Sequence, residues 1–150
     1  MIERTFVMVK PDGVCRRLVG EIIRRYEQKG LRLIGLKMRR LPRDLAERHY
    51  ESHRGKPYYE PLVDFVTSGP VVLMVWEGYR AISAVRQVNG ATDAIEAALG
   101  SIRGDYGLTV RYNLVHGSDS AETAMREIAL YFDENELVSY AMPDESWLRL

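Results

Sequence analysis

A single cysteine, Cys15, stands in a chain of 150 residues, so no internal disulfide can form, and nothing in the chain has the spacing of a zinc site. That scarcity fits a reducing compartment, and the cytosol is the expectation. Twenty-one basic side chains are balanced by twenty-one acidic ones, which leaves no overall field to draw the protein toward nucleic acid, anionic membrane or acidic partners. Any anion site must therefore be local. The longest apolar run, Val71 to Trp76, falls far short of the roughly twenty residues that span a bilayer. The first residues lack a basic region followed by an apolar stretch, so no secretory signal is expected. Neither Gly-x-x-x-x-Gly-Lys-Ser/Thr nor Gly-x-Gly-x-x-Gly occurs, and a phosphate site would have to be assembled from separate segments. Repeats, linkers and low-complexity stretches are also missing.

What is present fits one domain around one sizeable core, with 46% hydrophobic and 28% charged residues. Thr5 to Val9 reads as a strand stopped by Pro11-Asp12-Gly13. Leu18, Val19, Ile22, Ile23 and Tyr26 recur at helical spacing up to a Lys29-Gly30 stop. Ile34, Leu36 and Met38 then alternate as in a strand with one wet face. Two short helices are expected between Asp44 and Val66, broken around Gly55 to Pro57. Val71 to Trp76 is apolar on both alternating faces, as in a central strand. A helix is expected from about Tyr79 to Val88, and a long loop from Asn89 to Gly107 around a short helix at Ala94 to Leu99. A strand near Val110 to Val115 should follow, and last a helix whose stripe is Ala124, Met125, Ile128, Ala129 and Phe132. Asp119 and Glu122 resemble its capping pair. The order predicts an α+β, ferredoxin-like βαββαβ antiparallel sheet with its helices on one face.

Three histidines are the candidate chemistry, because imidazole is both basic and nucleophilic near neutral pH. His49 and His53 stand four apart on an expected helix, which invites a metal reading. The Glu that directly follows the first His in the zinc-protease motif is missing, and a partly exposed helix face is preferred. His116 is expected at a strand end, before Gly117 and the cap-forming Ser118, Asp119 and Ser120, where helix N-termini favour anions. Two readings stay open on spacing alone: a nucleophile, or a buried and hydrogen-bonded structural histidine. A nucleophile would need an acceptor on its other ring nitrogen, with Glu127 the first candidate and Glu122 the second. Lys10, at a strand end before Pro-Asp-Gly, is placed to meet a ligand. For Arg86 the residues alone favour a solvated arginine at a helix end.

The segments T-F-V-M-V-K-P-D-G-V, V-G-E-I-I, S-G-P-V-V-L-M-V-W-E-G, I-R-G-D-Y and N-L-V-H-G-S-D-S together resemble nucleoside diphosphate kinase, in register from about Thr5 to Trp147. The resemblance implies ping-pong transfer of a terminal phosphate from nucleoside triphosphates such as ATP or GTP to nucleoside diphosphates, through His116. It further implies that Lys10, Arg86, Thr92, Arg103 and Asn113 line the phosphates and ribose. Tyr58 would stack on the base, with Val110 on the other face and Leu62 nearby. Tyr50, Ser118 and Glu127 would support His116. Magnesium is expected on the nucleotide's phosphates without a protein cage of its own. A homo-oligomer is implied, with a hexamer favoured, and neither a membrane nor a specific nucleic acid is an expected partner. Departures fall at Ala94 and Leu99, where the family carries proline, at Ser101, at Arg111-Tyr112, and at Cys15-Arg16-Arg17. A non-enzymatic nucleotide-binding protein and an RNA-binding module are the competing functions, since ferredoxin-like sheets also stack single-stranded bases.

Overall fold

Strand β1 (Ile2–Val9) has every residue from Thr5 onward buried, so both of its faces meet protein. Residues described in this computed structural model are 1–148. Helices α1 (Pro11–Cys15) and α2 (Val19–Lys29) follow, and Gly30 ends α2 at φ 106, a left-handed conformation that costs glycine nothing. Strand β2 (Arg32–Arg40) leads into α3 (Arg43–His49), a short 3-10 turn at Glu51–His53, and α4 (Tyr59–Val66). Strand β3 (Pro70–Tyr79) and α5 (Ala81–Asn89) come next, then α6 (Ile102–Tyr106), β4 (Val115–Gly117), α7 (Ala121–Tyr131) and α8 (Glu145–Leu148). The four strands order as β2-β3-β1-β4, every neighbour antiparallel, with Val9 opposite Val72 and Met8 opposite His116. This is the expected ferredoxin-like α+β sheet.

The helices, however, cover both faces of the sheet rather than one. Phe6, Met8, Leu73 and Val75 pack with residues of α3, α4 and α7, while Val7, Val9, Met74 and Trp76 pack with residues of α2 and α5. The apolar runs of β1 and β3 carried that information, since a strand with one wet face would alternate. Each fully buried side chain such as Ile22 on α2 contributes about 1.5–3 kcal/mol by leaving water. With both central strands covered, neither offers a face on which RNA bases could stack.

Five local expectations need correction. Strand β3 runs on to Tyr79, paired with Ile2, so α5 starts at Ala81 rather than Tyr79. The helix expected at Ala94 to Leu99 is a single 3-10 turn, Ala94–Glu96, and the helix lies further on as α6, where the Ser101 side chain accepts from Gly104 N–H. The strand expected at Val110 to Val115 is only Val115–Gly117, because Leu114 takes φ 76 and breaks the extended path. On α7 the buried residues are Ala124, Glu127 and Tyr131, whereas Met125 is 74% exposed. Its cap is Ser120, which accepts from Thr123 N–H, one residue later than expected.

The loop between α5 and α6 yields a stability test. Asp93 is extended (φ −80, ψ 110), as a residue before proline must be, and Ala94 opens the 3-10 turn, where proline fits. Leu99 is 87% exposed and packs little. Ala94→Pro and Leu99→Pro should each stabilise the fold by about 0.4–1 kcal/mol through the unfolded chain, read as a rise in the urea midpoint. A fall at both positions would show that the loop follows another path.

Candidate active site

The turn after β1 and the turn before β4 are tied together, and that knot sets the floor of a cavity of about 310 Å³. Lys10 N–H donates to the Leu114 carbonyl (2.9 Å), and Leu114 N–H donates to Asp12 Oδ2 (3.2 Å). Those bonds hold Leu114 in its left-handed conformation, which costs a bulky residue energy and which the surroundings must enforce. The consequence is positional: the next residues, Val115 and His116, turn onto the edge of β1. Gly117 follows because α5 lies against it, and a Cβ there would come within 2.8 Å of Asn89 Nδ2.

Arg103 clamps the same segment from α6. Its guanidinium is buried and donates to the backbone carbonyls of Asn113 (3.2 Å), Gly90 (2.8 Å) and Val115 (2.6 Å). Burial, with Arg86 adding repulsion, lowers it to about 10 against an opposing pull from Tyr26. Asn113 accepts from Lys10 Nζ at 2.9 Å and donates to the Thr92 carbonyl at 2.9 Å. Lys10 is pushed down to about 8, first by burial and then by Arg103, with Asp12 opposing. Two cationic side chains converging on one cavity favour an anion there.

At the other wall, His116 Nε2 lies 3.0 Å from both oxygens of Glu127. Glu127 is buried on α7 and also accepts from Ser118 Oγ at 2.6 Å. Burial by itself would raise its pKa, but the bonds from His116 and His49 outweigh that and hold the carboxyl well below the usual range. An ionised Glu127 can only accept, so the proton of His116 belongs on Nε2. Nδ1 is then left as the lone pair, and among the described residues it has no hydrogen-bond partner. That matches the acceptor role expected for Glu127, and nothing places Glu122 on His116.

The partly exposed helix face expected for His49 is not what the structure shows. His49 is 2% exposed, with Nε2 3.1 Å from Glu127 Oε2 and Nδ1 2.7 Å from the Tyr131 hydroxyl. The two histidines do not share a helix: α3 ends at His49, and His53 closes a separate 3-10 turn, bonding through Nδ1 to Tyr58 Oη at 2.7 Å. A usable signal existed, since His49 falls three and four residues after Ala46 and Leu45 on the buried face of α3. Burial pulls His49 down to about 4, more than Glu127 raises it, so it sits neutral. Tyr50 is buried beside it, edge-on to His116, with a hydroxyl that has no hydrogen-bond partner among the described residues. Burial and then Glu127 push that hydroxyl's pKa upward.

Lys10, Tyr50, Arg86, Thr92, Arg103, Asn113, His116 and Glu127 therefore line one cavity, and Ser118 stands directly behind it. Arg86 is both an exposed residue in the last turn of α5 and a lining group, so its two readings do not conflict. Tyr58, Leu62 and Val110 are not brought into that cavity. Tyr58 caps α4 and is 48% exposed, Leu62 lies one turn on, and Val110 is 54% exposed on the segment before β4. Those two elements touch where Phe65 meets Tyr112 edge-on, with ring centroids 5.0 Å apart. Besides His49, sequence reasoning missed Arg126, Asn89 and Thr123 as lining residues.

The comparisons agree with this geometry. A family profile described as nucleoside diphosphate kinase matches residues 3–137. Nucleoside diphosphate kinases of Carboxydothermus hydrogenoformans and Pelotomaculum thermopropionicum are 56% and 54% identical, each over 98% of this chain and 99% of its relative. Among solved structures, a halophilic nucleoside diphosphate kinase of Halobacterium salinarum in complex with CDP superposes with a TM-score of 0.96 at 52% identity, covering 100% of both chains. A nucleoside diphosphate kinase family protein of Babesia bovis gives 0.94 at 46%, over 97% of this chain and 99% of the other. With a histidine oriented by a buried carboxylate, a cationic cavity before it and relatives of this identity along nearly its whole length, the chain belongs to the nucleoside diphosphate kinase family.

Proposed function

We propose that this enzyme passes the terminal phosphate of a nucleoside triphosphate to a nucleoside diphosphate in two halves, with Nδ1 of His116 as the carrier. The observation that carries the reading is the Glu127 carboxylate on Nε2, which leaves Nδ1 as the lone pair in a cavity also lined by Lys10, Arg86 and Arg103. Nδ1 attacks the terminal phosphorus, the bond to the bridging oxygen breaks, and the diphosphate leaves. The imidazole then carries phosphate on Nδ1 and a proton on Nε2, and its positive charge lies against Glu127. A second diphosphate reverses these steps. Transfer of this kind asks the protein mainly for alignment and charge stabilisation, which fixed cations and one buried anion supply. Incubation with labelled triphosphate and magnesium, without acceptor, should give a burst of diphosphate and an acid-labile, base-stable label on His116 that any diphosphate removes. Normal turnover with no trappable phosphohistidine would put direct transfer between two bound nucleotides in its place.

The family's activity implies a divalent cation, and we assign Mg²⁺ to it. The carboxylates lining the cavity among the described residues are Asp119 and Glu127, and Glu127 is committed to two histidines. Those two carboxylates do not make the oxygen cage an octahedral ion needs, so the fit is to an ion that would be held by the nucleotide's own phosphates. There it would neutralise phosphate charge. We also place the protein in the cytosol; no helix among the described residues is long and apolar enough to cross a membrane. A homo-oligomer, a hexamer in the favoured reading, is supported by Leu36 and Met38, which are 52% and 60% exposed on the edge strand β2.

Two measurements test the nucleotide site. Stacking on Tyr58, with no group reading base edges, predicts that purine and pyrimidine nucleotides, ribo and deoxyribo, are all used, purines modestly better. Tyr58→Ala should weaken every base by about 1–3 kcal/mol without changing their order, and strict use of one base would refute the reading. The second is the pH dependence of binding. Because Lys10 loses its proton near pH 8 in the free enzyme, nucleotide affinity should be level below that pH and fall by up to about tenfold per unit above it. Titration calorimetry between neutral and alkaline pH would show this, and Lys10→Arg, which stays cationic, should flatten the decline.

A further inference from the structure

The atoms His49 Nε2, His116 Nε2 and Glu127 Oε2 form a triangle with edges of 3.3, 3.1 and 3.0 Å. A four-coordinate ion with bonds of about 2.0–2.1 Å sets its ligand atoms about 3.3 Å apart. Three corners of such a tetrahedron are thus present in the chain already. The outer contacts of a built metal site are present as well: Tyr131 Oη fixes His49 through Nδ1 at 2.7 Å, and Ser118 Oγ fixes Glu127 through Oε1 at 2.6 Å. All three line the cavity, and His116 is the most open to it, its side chain 21% exposed against 1% and 3% for the other two.

We propose that His49, His116 and Glu127 form an inhibitory site for Zn²⁺ and similar transition ions, separate from the magnesium that travels with the nucleotide. Two imidazole nitrogens and one carboxylate select a borderline ion over Mg²⁺, which demands octahedral oxygen. The fourth position opens on the cavity and takes water. Binding moves a proton from Nε2 to Nδ1 on each histidine, with none released to solvent. On His49 the new Nδ1–H donates to the Tyr131 oxygen, reversing the sense of that bond. On His116 the lone pair goes to the ion and the proton to Nδ1, which can no longer attack phosphorus. That inhibition rests on the reading of Nδ1 as the nucleophile, whereas the site does not.

Metal-free enzyme without nucleotide should therefore bind one Co²⁺ per chain, with the intense visible absorption of four-coordinate cobalt, and lose it to one equivalent of Zn²⁺. X-ray absorption at the zinc edge should show two imidazoles and one carboxylate in the wild-type protein. His49→Gln should abolish the cobalt band and weaken Zn²⁺ binding at least about tenfold. With excess Mg²⁺ present, Zn²⁺ should stop phosphate labelling of His116, and EDTA should restore it. No cobalt band, fewer than two imidazoles on zinc, or equal Zn²⁺ affinity in His49→Gln would each overturn the site. Undiminished labelling with the ion demonstrably bound would overturn the inhibition alone.

Discussion

His116→Ala will give neither a diphosphate burst nor a label, while Glu127→Gln will still be labelled, about ten- to a hundredfold more slowly than wild type. The first result follows from the absence of any other imidazole that could replace the carrier: His49 is neutral, 2% exposed and bound at both nitrogens, and His53 is bonded to Tyr58. The second result separates two duties of Glu127. Glutamine keeps a carbonyl that can accept from His116 Nε2–H, so the tautomer that exposes Nδ1 survives. Its missing charge no longer stabilises the positive ring that forms on phosphorylation. The amide must also find acceptors beside His49 and Ser118, both of which donate to this carboxylate in the native network. Rapid-quench labelling would read both variants. A Glu127→Gln enzyme as dead as His116→Ala would mean that the charge, not the orientation, sustains nearly all the chemistry.

Elements with a plain repeat in the sequence were legible. Helix α2 showed its stripe and its glycine stop, and β3 showed itself central because no alternate position was polar. The missed features are those in which tertiary contacts override local pattern. Leu114 has no propensity for φ 76, and it is held there by Asp12 and Lys10, a hundred residues away along the chain. Glu127 occupies a core position of α7, so a search for an apolar stripe slid one residue aside and took in the exposed Met125. The helices' division between both faces of the sheet is written in the unbroken apolar run of β1, whose alternate residues each meet a different helix layer. In the site itself, motif matching named residues that share one cavity, yet it passed over His49, whose role is visible only once α3 and α7 pack together. Arg103 shows the converse, a residue expected on the phosphates whose donors hold the segment that precedes His116.

The same network should make the fold acid-sensitive in a particular window. His49 is lowered from 6.5 to about 4 because burial penalises its charged form more than Glu127 rewards it. With the folded value below the unfolded one, its contribution is complete above pH 6.5 and is lost as pH falls through 4, when the unfolded chain takes up the proton first. A shift of that size corresponds to about 3 kcal/mol, a large part of a single domain's stability. Glu127, also held below its usual value, adds a second loss that begins only below about pH 4.5, where unfolded glutamates protonate. The groups facing His49 are Tyr131, Tyr50, His116, Glu127 and Arg126; the anion among them, Glu127, is shared with His116, while His116 and Arg126 oppose a charge on His49. Urea midpoints measured from pH 7 down to 4.5 should therefore fall steadily in the wild type. His49→Gln, though less stable at pH 7, should show a clearly shallower decline, because its side chain does not titrate. Equal slopes in the two proteins would mean that folding does not lower the pKa of His49, and a wild type that gained stability on acidification would mean an imidazolium paired with Glu127 in the fold.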